Sequence, residues 1–150
     1  MRLNVEASGD GEDLVLLHGW GMNAAVWDGL PGQFSERRRL HRVELPGHGA
    51  SPFDSSRIDR GQWAQAVLDA APRRAVWIAW SLGGLIALEA ALRAPERMSA
   101  LILVTASPRF IRAADWPAAM PAETLARFHA GLLADPSAMV LRFLALQVRG

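Results

Sequence analysis

The sequence contains no cysteine, no tyrosine and no lysine. Without cysteine there are no disulfides, no thiol nucleophile and no thiolate-ligated metal. Without lysine, arginine supplies all sixteen basic side chains other than histidine, and its guanidinium does not titrate near neutrality. Cysteine and tyrosine, the side chains that turn anionic at high pH, are both absent. A formal net charge of only +1 is therefore enough to put the pI near 9.0. So even a balance lacks the basic excess of a nucleic-acid-binding surface. Long apolar runs are also missing: no uncharged stretch approaches the roughly 18 residues of a membrane span. The first six residues, Met-Arg-Leu-Asn-Val-Glu, do not begin a secretory signal. These absences lead us to expect a cytoplasmic protein with neither nucleic-acid nor membrane partners.

What is present suits a folded domain. The 150 residues are 51% hydrophobic and 21% charged, the proportions of a globular chain. Residues 3–7 alternate, as a first strand would. Residues 14–17 (Leu-Val-Leu-Leu), 40–45, 75–79 and 101–104 are short apolar runs closed by turn residues, the pattern of strands buried on both faces. Between them the spacing predicts helices over 24–30, capped by Asn23, over 59–71, with Ile58, Trp63, Ala66, Val67 and Ala70 on one stripe, and over 82–94, stopped by Pro95. Strands alternating with helices predict an α/β fold around a parallel sheet, with helices on both faces. Beyond residue 104 no strand pattern follows. One helix there places Leu125, Phe128 and Leu132 together. A second, with Asp135 as cap and Pro136 at its first position, aligns Val140, Phe143, Leu144 and Gln147. The expected division is thus 1–104, an α/β core, and 105–150, a helical segment.

The sharpest chemical signal is Ala79-Trp80-Ser81-Leu82-Gly83-Gly84, set between an apolar strand and a helix. A serine nucleophile at a tight strand-to-helix turn needs small residues two positions before and after it. Gly83 meets that need, and Ala79 stands where glycine is usual. The second signal is His18-Gly19-Trp20-Gly21, directly after the strand at 14–17. An oxyanion hole takes one N–H from such a loop and one from the residue after the nucleophile, here Trp20 and Leu82. The third, Val43-Glu44-Leu45-Pro46-Gly47-His48-Gly49-Ala50-Ser51, reads as a rigid structural turn after a strand. The four histidines lack metal-ligand spacing, and Gly83-Gly84 lacks the Lys-Ser/Thr of a phosphate-binding loop. No metal or other cofactor is expected.

In this order the motifs resemble the α/β-hydrolase superfamily. Within it they resemble the methyl ester esterase family of biotin synthesis, whose substrate is a pimeloyl chain on acyl-carrier protein. The closer resemblance rests on Leu16-Leu17-His18-Gly19-Trp20-Gly21-Met22-Asn23, Trp80-Ser81-Leu82-Gly83-Gly84-Leu85, Ala106-Ser107-Pro108 with Asp115-Trp116-Pro117, and Arg142-Phe143-Leu144-Ala145-Leu146-Gln147. It runs over essentially the whole chain. It implies a carboxylesterase in which Ser81 attacks the ester and Trp20 and Leu82 hold the oxyanion and touch substrate. Phe143, Leu144, Ala145, Leu146 and Gln147 would line the acyl channel from a helical cap. Acyl-carrier protein is the implied partner, and an acidic carrier calls for a basic surface. Residues 105–150 hold five arginines against three acids, while residues 1–104 hold eleven against twelve. Arg142 and Arg149 are the candidate carrier contacts.

A serine nucleophile needs a histidine base and an acid, which in this fold follow it in the order Ser, Asp or Glu, His. After Ser81 the only histidine is His129, within a helix, and Asp115 and Asp135 lie in cap loops. The expectation is therefore an N-terminal part of a longer hydrolase, truncated before its last strands and inactive alone. The other readings left open are a different α/β-hydrolase (a lactonase, C–C hydrolase or general esterase) and a non-catalytic hydrolase-like chain.

Overall fold

The computed structural model describes residues 1–30, 32 and 36–148. The chain forms two compact units, Met1–Ser107 and Pro108–Gly150. The first is built on five strands, β1 (Val5–Ser8), β2 (Glu12–Leu17), β3 (Arg38–Val43), β4 (Ala75–Trp80) and β5 (Met98–Val104), with helices α1 (Arg60–Ala70) and α2 (Leu82–Arg93). The sheet order is β1-β3-β2-β4-β5. β1 pairs antiparallel with β3, and every other pairing is parallel.

The apolar run of β2 explains its central place. Successive side chains in a strand point to opposite faces. Val15 and Leu17 join Val43, Trp77 and Ala79 in a core covered by α1 and α2. Leu14 and Leu16 join Leu40 in a second cluster, against Trp27 and Leu30. Both faces are thus sealed, and all four residues are at most 3% exposed. β5 lies at the sheet edge, and there Ile102, Leu103 and Val104 are 39–48% exposed.

Sheet topology decides where a site can form. The chain runs outward from β2 to β3, then crosses back over β2 to β4 and on to β5. The order therefore reverses between β2 and β4, the switch point where open α/β sheets bind ligands, outside the carboxyl ends of the strands. The register makes those ends level: Leu17 lies opposite both Val43 and Ala79, and Trp80 opposite Val104. His18, Glu44, Ser81 and Thr105 consequently follow one another along a single edge.

Three local expectations are corrected. The helix expected over 24–30 is only a 3-10 turn, Ala24–Trp27. Asn23 caps it by accepting from the Ala25 N–H at 3.1 Å. Gly29 and Pro31 follow at once, and a residue before proline is driven out of helical geometry. Ile58 does not belong to the buried stripe of α1 and is 67% exposed. The helix starts after its cap Asp59, which accepts from the Gln62 N–H, so helical spacing does not extend to Ile58. The buried residues of this helix are Gly61, Ala64, Ala66, Val67 and Leu68. Finally, β3 ends at Val43, so Glu44 and Leu45 belong to the loop that follows it.

The second unit holds α3 (Ala122–Ala134) and α4 (Pro136–Gln147). Asp135 caps α4, accepting from the Ala138 N–H at 3.0 Å, with Pro136 in the first turn. The rings of Phe128 and Phe143 meet at 5.9 Å between centroids. Before α3, isolated bridges join Ile111 to Met120 and Ala113 to Trp116.

Candidate active site

Ser81 stands between the end of β4 and the start of α2 with φ 52 and ψ −114. It and Thr105 are the two non-glycine residues of positive φ among the described residues. Such backbone costs on the order of 1–3 kcal/mol and persists only where its surroundings enforce it. The enforcing contacts are visible. The Ser81 N–H donates to the Val104 carbonyl at 3.0 Å, and its own carbonyl accepts from the Leu85 N–H at 3.2 Å. Its hydroxyl makes no capping bond to the helix, so an ordinary helix-capping serine does not describe it. Gly83 is required by close approach: a Cβ there would lie 2.6 Å from the His18 carbonyl oxygen and 2.8 Å from both Leu17 Cβ and the Leu17 carbonyl oxygen. This lets α2 begin directly against the end of β2. Leu82, the first residue of α2, presents one of the first-turn amides that have no partner within the helix, at the positive end of the helix dipole.

The loop after β2 lies beside it. A Cβ on Gly19 would stand 3.4 Å from Ser81 Cβ. The Met22 N–H donates to the Gly19 carbonyl at 3.3 Å, and Gly21 has φ 71, as the third position of a type II turn demands. Trp20 is half-buried at the second position. His18 is fully buried and doubly bound. Its Nε2 accepts from the Leu45 N–H at 3.0 Å, and its Nδ1 lies 2.8 Å from the Gly19 carbonyl oxygen. An amide N–H can only donate, so Nε2 carries no proton and Nδ1 is the donor. Burial above all pulls the His18 pKa down to about 4. The Gly19 carbonyl opposes the shift, His48 adds to it, and Glu44 opposes it.

Glu44, which the sequence places within a rigid turn without singling it out, is heavily bonded at this edge. It is 4% exposed. Its carboxylate accepts from the Ala24 N–H at 3.1 Å, the Ala50 N–H at 2.6 Å and Asn4 Nδ2 at 3.0 Å. The Ser51 hydroxyl donates to its carbonyl at 2.7 Å. Burial alone would raise its pKa, but the bonds from Ala50, Ala24 and Asn4 outweigh it, and the carboxyl lies below its ordinary value. The available signal was a lone acid inside an apolar run, just before Leu-Pro-Gly.

These two groups contribute to the acid limb of stability. An unfolded histidine near 6.5 takes up a proton before folded His18 does, so stability falls as pH drops from about 6.5 towards 4. The total is roughly 3 kcal/mol for a shift of this size. Glu44, depressed from 4.5, adds a loss only at lower pH. Urea unfolding between pH 7.5 and 4 is expected to show this slope, and His18→Gln to flatten it above pH 4.5. An unchanged slope in His18→Gln would assign it to other groups.

The remaining histidines are engaged elsewhere or exposed. His41 Nε2 lies 2.6 Å from Asp13 Oδ1 across β2 and β3, and His48 Nδ1 donates to the Pro46 carbonyl at 2.9 Å. His129 is exposed on α3. Asp115 pairs with Arg109 at 3.4 Å. Among the described residues no histidine hydrogen-bonds Ser81, and no group of three metal-ligating side chains gathers. A hollow of about 840 Å³ in the first unit is lined by Leu3, Asn4, Ala66 and Asp69 among others and does not include Ser81. Of the expected channel residues, Phe143 and Leu144 are half-buried, while Ala145, Leu146 and Gln147 are exposed, as is Arg142. Five consecutive residues circle a helix more than once, so they do not share one face. Arg149 lies outside the described residues.

Comparison with known proteins adds the family. The alpha/beta hydrolase family matches residues 14–149. The chain is 46% identical over 148 residues to a pimeloyl-[acyl-carrier protein] methyl ester esterase of Nitrosomonas europaea, which covers 99% of this chain and 58% of that protein. It is 44% identical over 155 residues to the protein of the same name in Methylococcus capsulatus, covering 100% and 58%. An esterase from Exiguobacterium antarcticum superposes with a TM-score of 0.85 at 25% identity, covering 94% of this chain and 55% of that one. The chain thus spans little more than half the length of the curated relatives it matches. Among the described residues no helix is long and apolar enough to cross a membrane. With the switch-point geometry, these matches establish that the chain belongs to the alpha/beta hydrolase family.

Proposed function

We propose that the protein is a carboxylic ester hydrolase of biotin synthesis, with Ser81 as nucleophile and the Trp20 and Leu82 N–H groups as oxyanion hole. Its substrate is the methyl ester of a pimeloyl chain on acyl-carrier protein. The observation that carries the reading is Ser81 itself. It sits on strained backbone at the β4–α2 turn, at the switch point, with a hydroxyl unused by the helix. The names of relatives at 44–46% identity support the substrate.

In the reaction, Ser81 Oγ attacks the ester carbonyl carbon and its proton passes to a general base. The carbonyl oxygen becomes an oxyanion held by the two amides. Collapse breaks the bond to the methoxy oxygen, which takes the proton and leaves as methanol. Water then attacks the acyl-enzyme, the base accepts its proton, and the free acid leaves as Ser81 regains a proton. His18 is not that base: its one unprotonated nitrogen is buried and already holds the Leu45 N–H. We place the base and its acid in the part of the relatives' length that these residues do not span, and expect residues 1–150 alone to be inactive. Of the expected channel residues, Phe143, Leu144 and Gln147, which share one helix face by spacing, supply the wall for the acyl chain, and Arg142 and Arg149 meet the acidic carrier.

The test is methanol release by a product of the same locus that extends past residue 150. The carrier-bound methyl ester should exceed the free methyl ester in kcat/KM by about 100-fold, since remote contacts contribute to the transition state. Faster opening of an acyl lactone would favour the other hydrolase reading. No turnover of any ester would favour a non-catalytic protein.

A further inference from the structure

We infer that His18 is a positioning residue for the oxyanion hole, acting through the carbonyl of the peptide whose N–H belongs to Trp20. This inference rests on the esterase reading above. The Gly19 carbonyl and the Trp20 N–H are the two ends of one peptide group. That group is planar and trans, so its C=O and N–H point in opposite directions. Whatever fixes the carbonyl also aims the N–H. Two donors fix it: the Met22 N–H at 3.3 Å and His18 Nδ1 at 2.8 Å. The first is long for an N–H···O bond and the second near ideal, so the imidazole is the firmer hold. It is needed because Gly19 has no side chain to restrict its own rotation.

The imidazole is itself fixed from the end of β3. Leu45 donates to Nε2, and a buried ring bound at both nitrogens cannot turn without losing a bond. The next residue back, Glu44, takes the Ala24 N–H. The loop from 18 to 24 is therefore gripped at both ends by two adjacent residues, Glu44 and Leu45, of a different strand's loop. Ser81 reaches the same place from β4, with Gly83 against the His18 carbonyl. One imidazole thus links the ends of β2 and β3 to the geometry in front of the nucleophile. The role uses the histidine as a neutral, fixed-tautomer strut, not as an acid or base.

The two bonds can be separated by substitution. In His18→Asn the side-chain amide stands near the position of Nδ1 and can still donate to Gly19, while Leu45 loses its acceptor. In His18→Gln the side chain reaches the position of Nε2 and can accept from Leu45, while Gly19 loses its donor. Both are made in a product of the locus that extends past residue 150, assayed for ester hydrolysis beside the wild type. The expected result is a kcat about 100-fold lower in His18→Gln, the scale of a lost oxyanion donor, with KM changed less than about threefold. His18→Asn should restore most of that kcat yet unfold at lower urea. Equal kcat loss in both variants, or a change in KM or stability alone, would overturn the inference. If His18→Gln does not fold, folded His18→Asn decides: loss of its kcat counts against the role and retention supports it. A wild-type product without Ser81-dependent hydrolysis would instead remove the esterase reading, so the two failures are distinguishable.

Discussion

Ser81→Ala is expected to lower ester hydrolysis by the longer product about 10⁶-fold, the loss seen when a nucleophilic serine is removed from an otherwise intact site. Folding should scarcely change. The Ser81 hydroxyl makes no cap bond, and the turn is held by the backbone bonds to Val104 and Leu85. Ser81→Gly sharpens the point. At φ 52 a glycine relieves backbone strain, so this variant should be equally inactive but more stable than Ser81→Ala by about 1 kcal/mol. A residue kept in unfavourable backbone for its chemistry behaves this way. Matched urea titrations and turnover assays on the two variants check both halves. A Ser81→Ala protein with more than about 1% of wild-type turnover would remove the nucleophile from Ser81.

Gly83→Ala is expected to damage both stability and rate. The added Cβ meets two backbone carbonyl oxygens and Leu17 Cβ, all closer than 3.0 Å, and none is the far end of a flexible side chain. Relief requires moving the start of α2 away from the end of β2. Overpacking of this kind costs about 3 kcal/mol, visible as a lower urea midpoint with an unchanged m value. The same movement separates the Leu82 N–H from the His18–Trp20 loop, so kcat should fall while the protein remains folded. Gly84→Ala is a useful companion. Its Cβ would mainly meet the Ala106 side chain, away from the His18 carbonyl, so it should cost stability with less effect on kcat.

Much of this site is local in sequence, which is why it could be read there. The strand-to-helix context of Ser81, the small residues at 79 and 83, and Leu82 as the first helical residue all lie within a few positions. The apolar runs of β2 and β4 mark doubly covered strands because their composition alone demands burial on both faces. The rest depends on which strand ends lie side by side. The register pairs Leu17 with Val43, and only that pairing brings His18 to Leu45 and Glu44 to Ala24. No spacing rule connects residues 18, 44 and 24. The helix expected at 24–30 failed for a local reason, Gly29 and Pro31. Ile58 was misplaced because helical spacing was extended across a cap.

The most direct measurement is the site of covalent labelling by a fluorophosphonate, mapped by peptide mass spectrometry. A product of the locus extending past residue 150 should label rapidly and with one-to-one stoichiometry at Ser81, and not at all as Ser81→Ala. Residues 1–150 alone should label at least a thousandfold more slowly for want of a base, a gap on the scale that triad activation supplies. Rapid labelling at another serine, or no labelling of the longer product, would contradict the account.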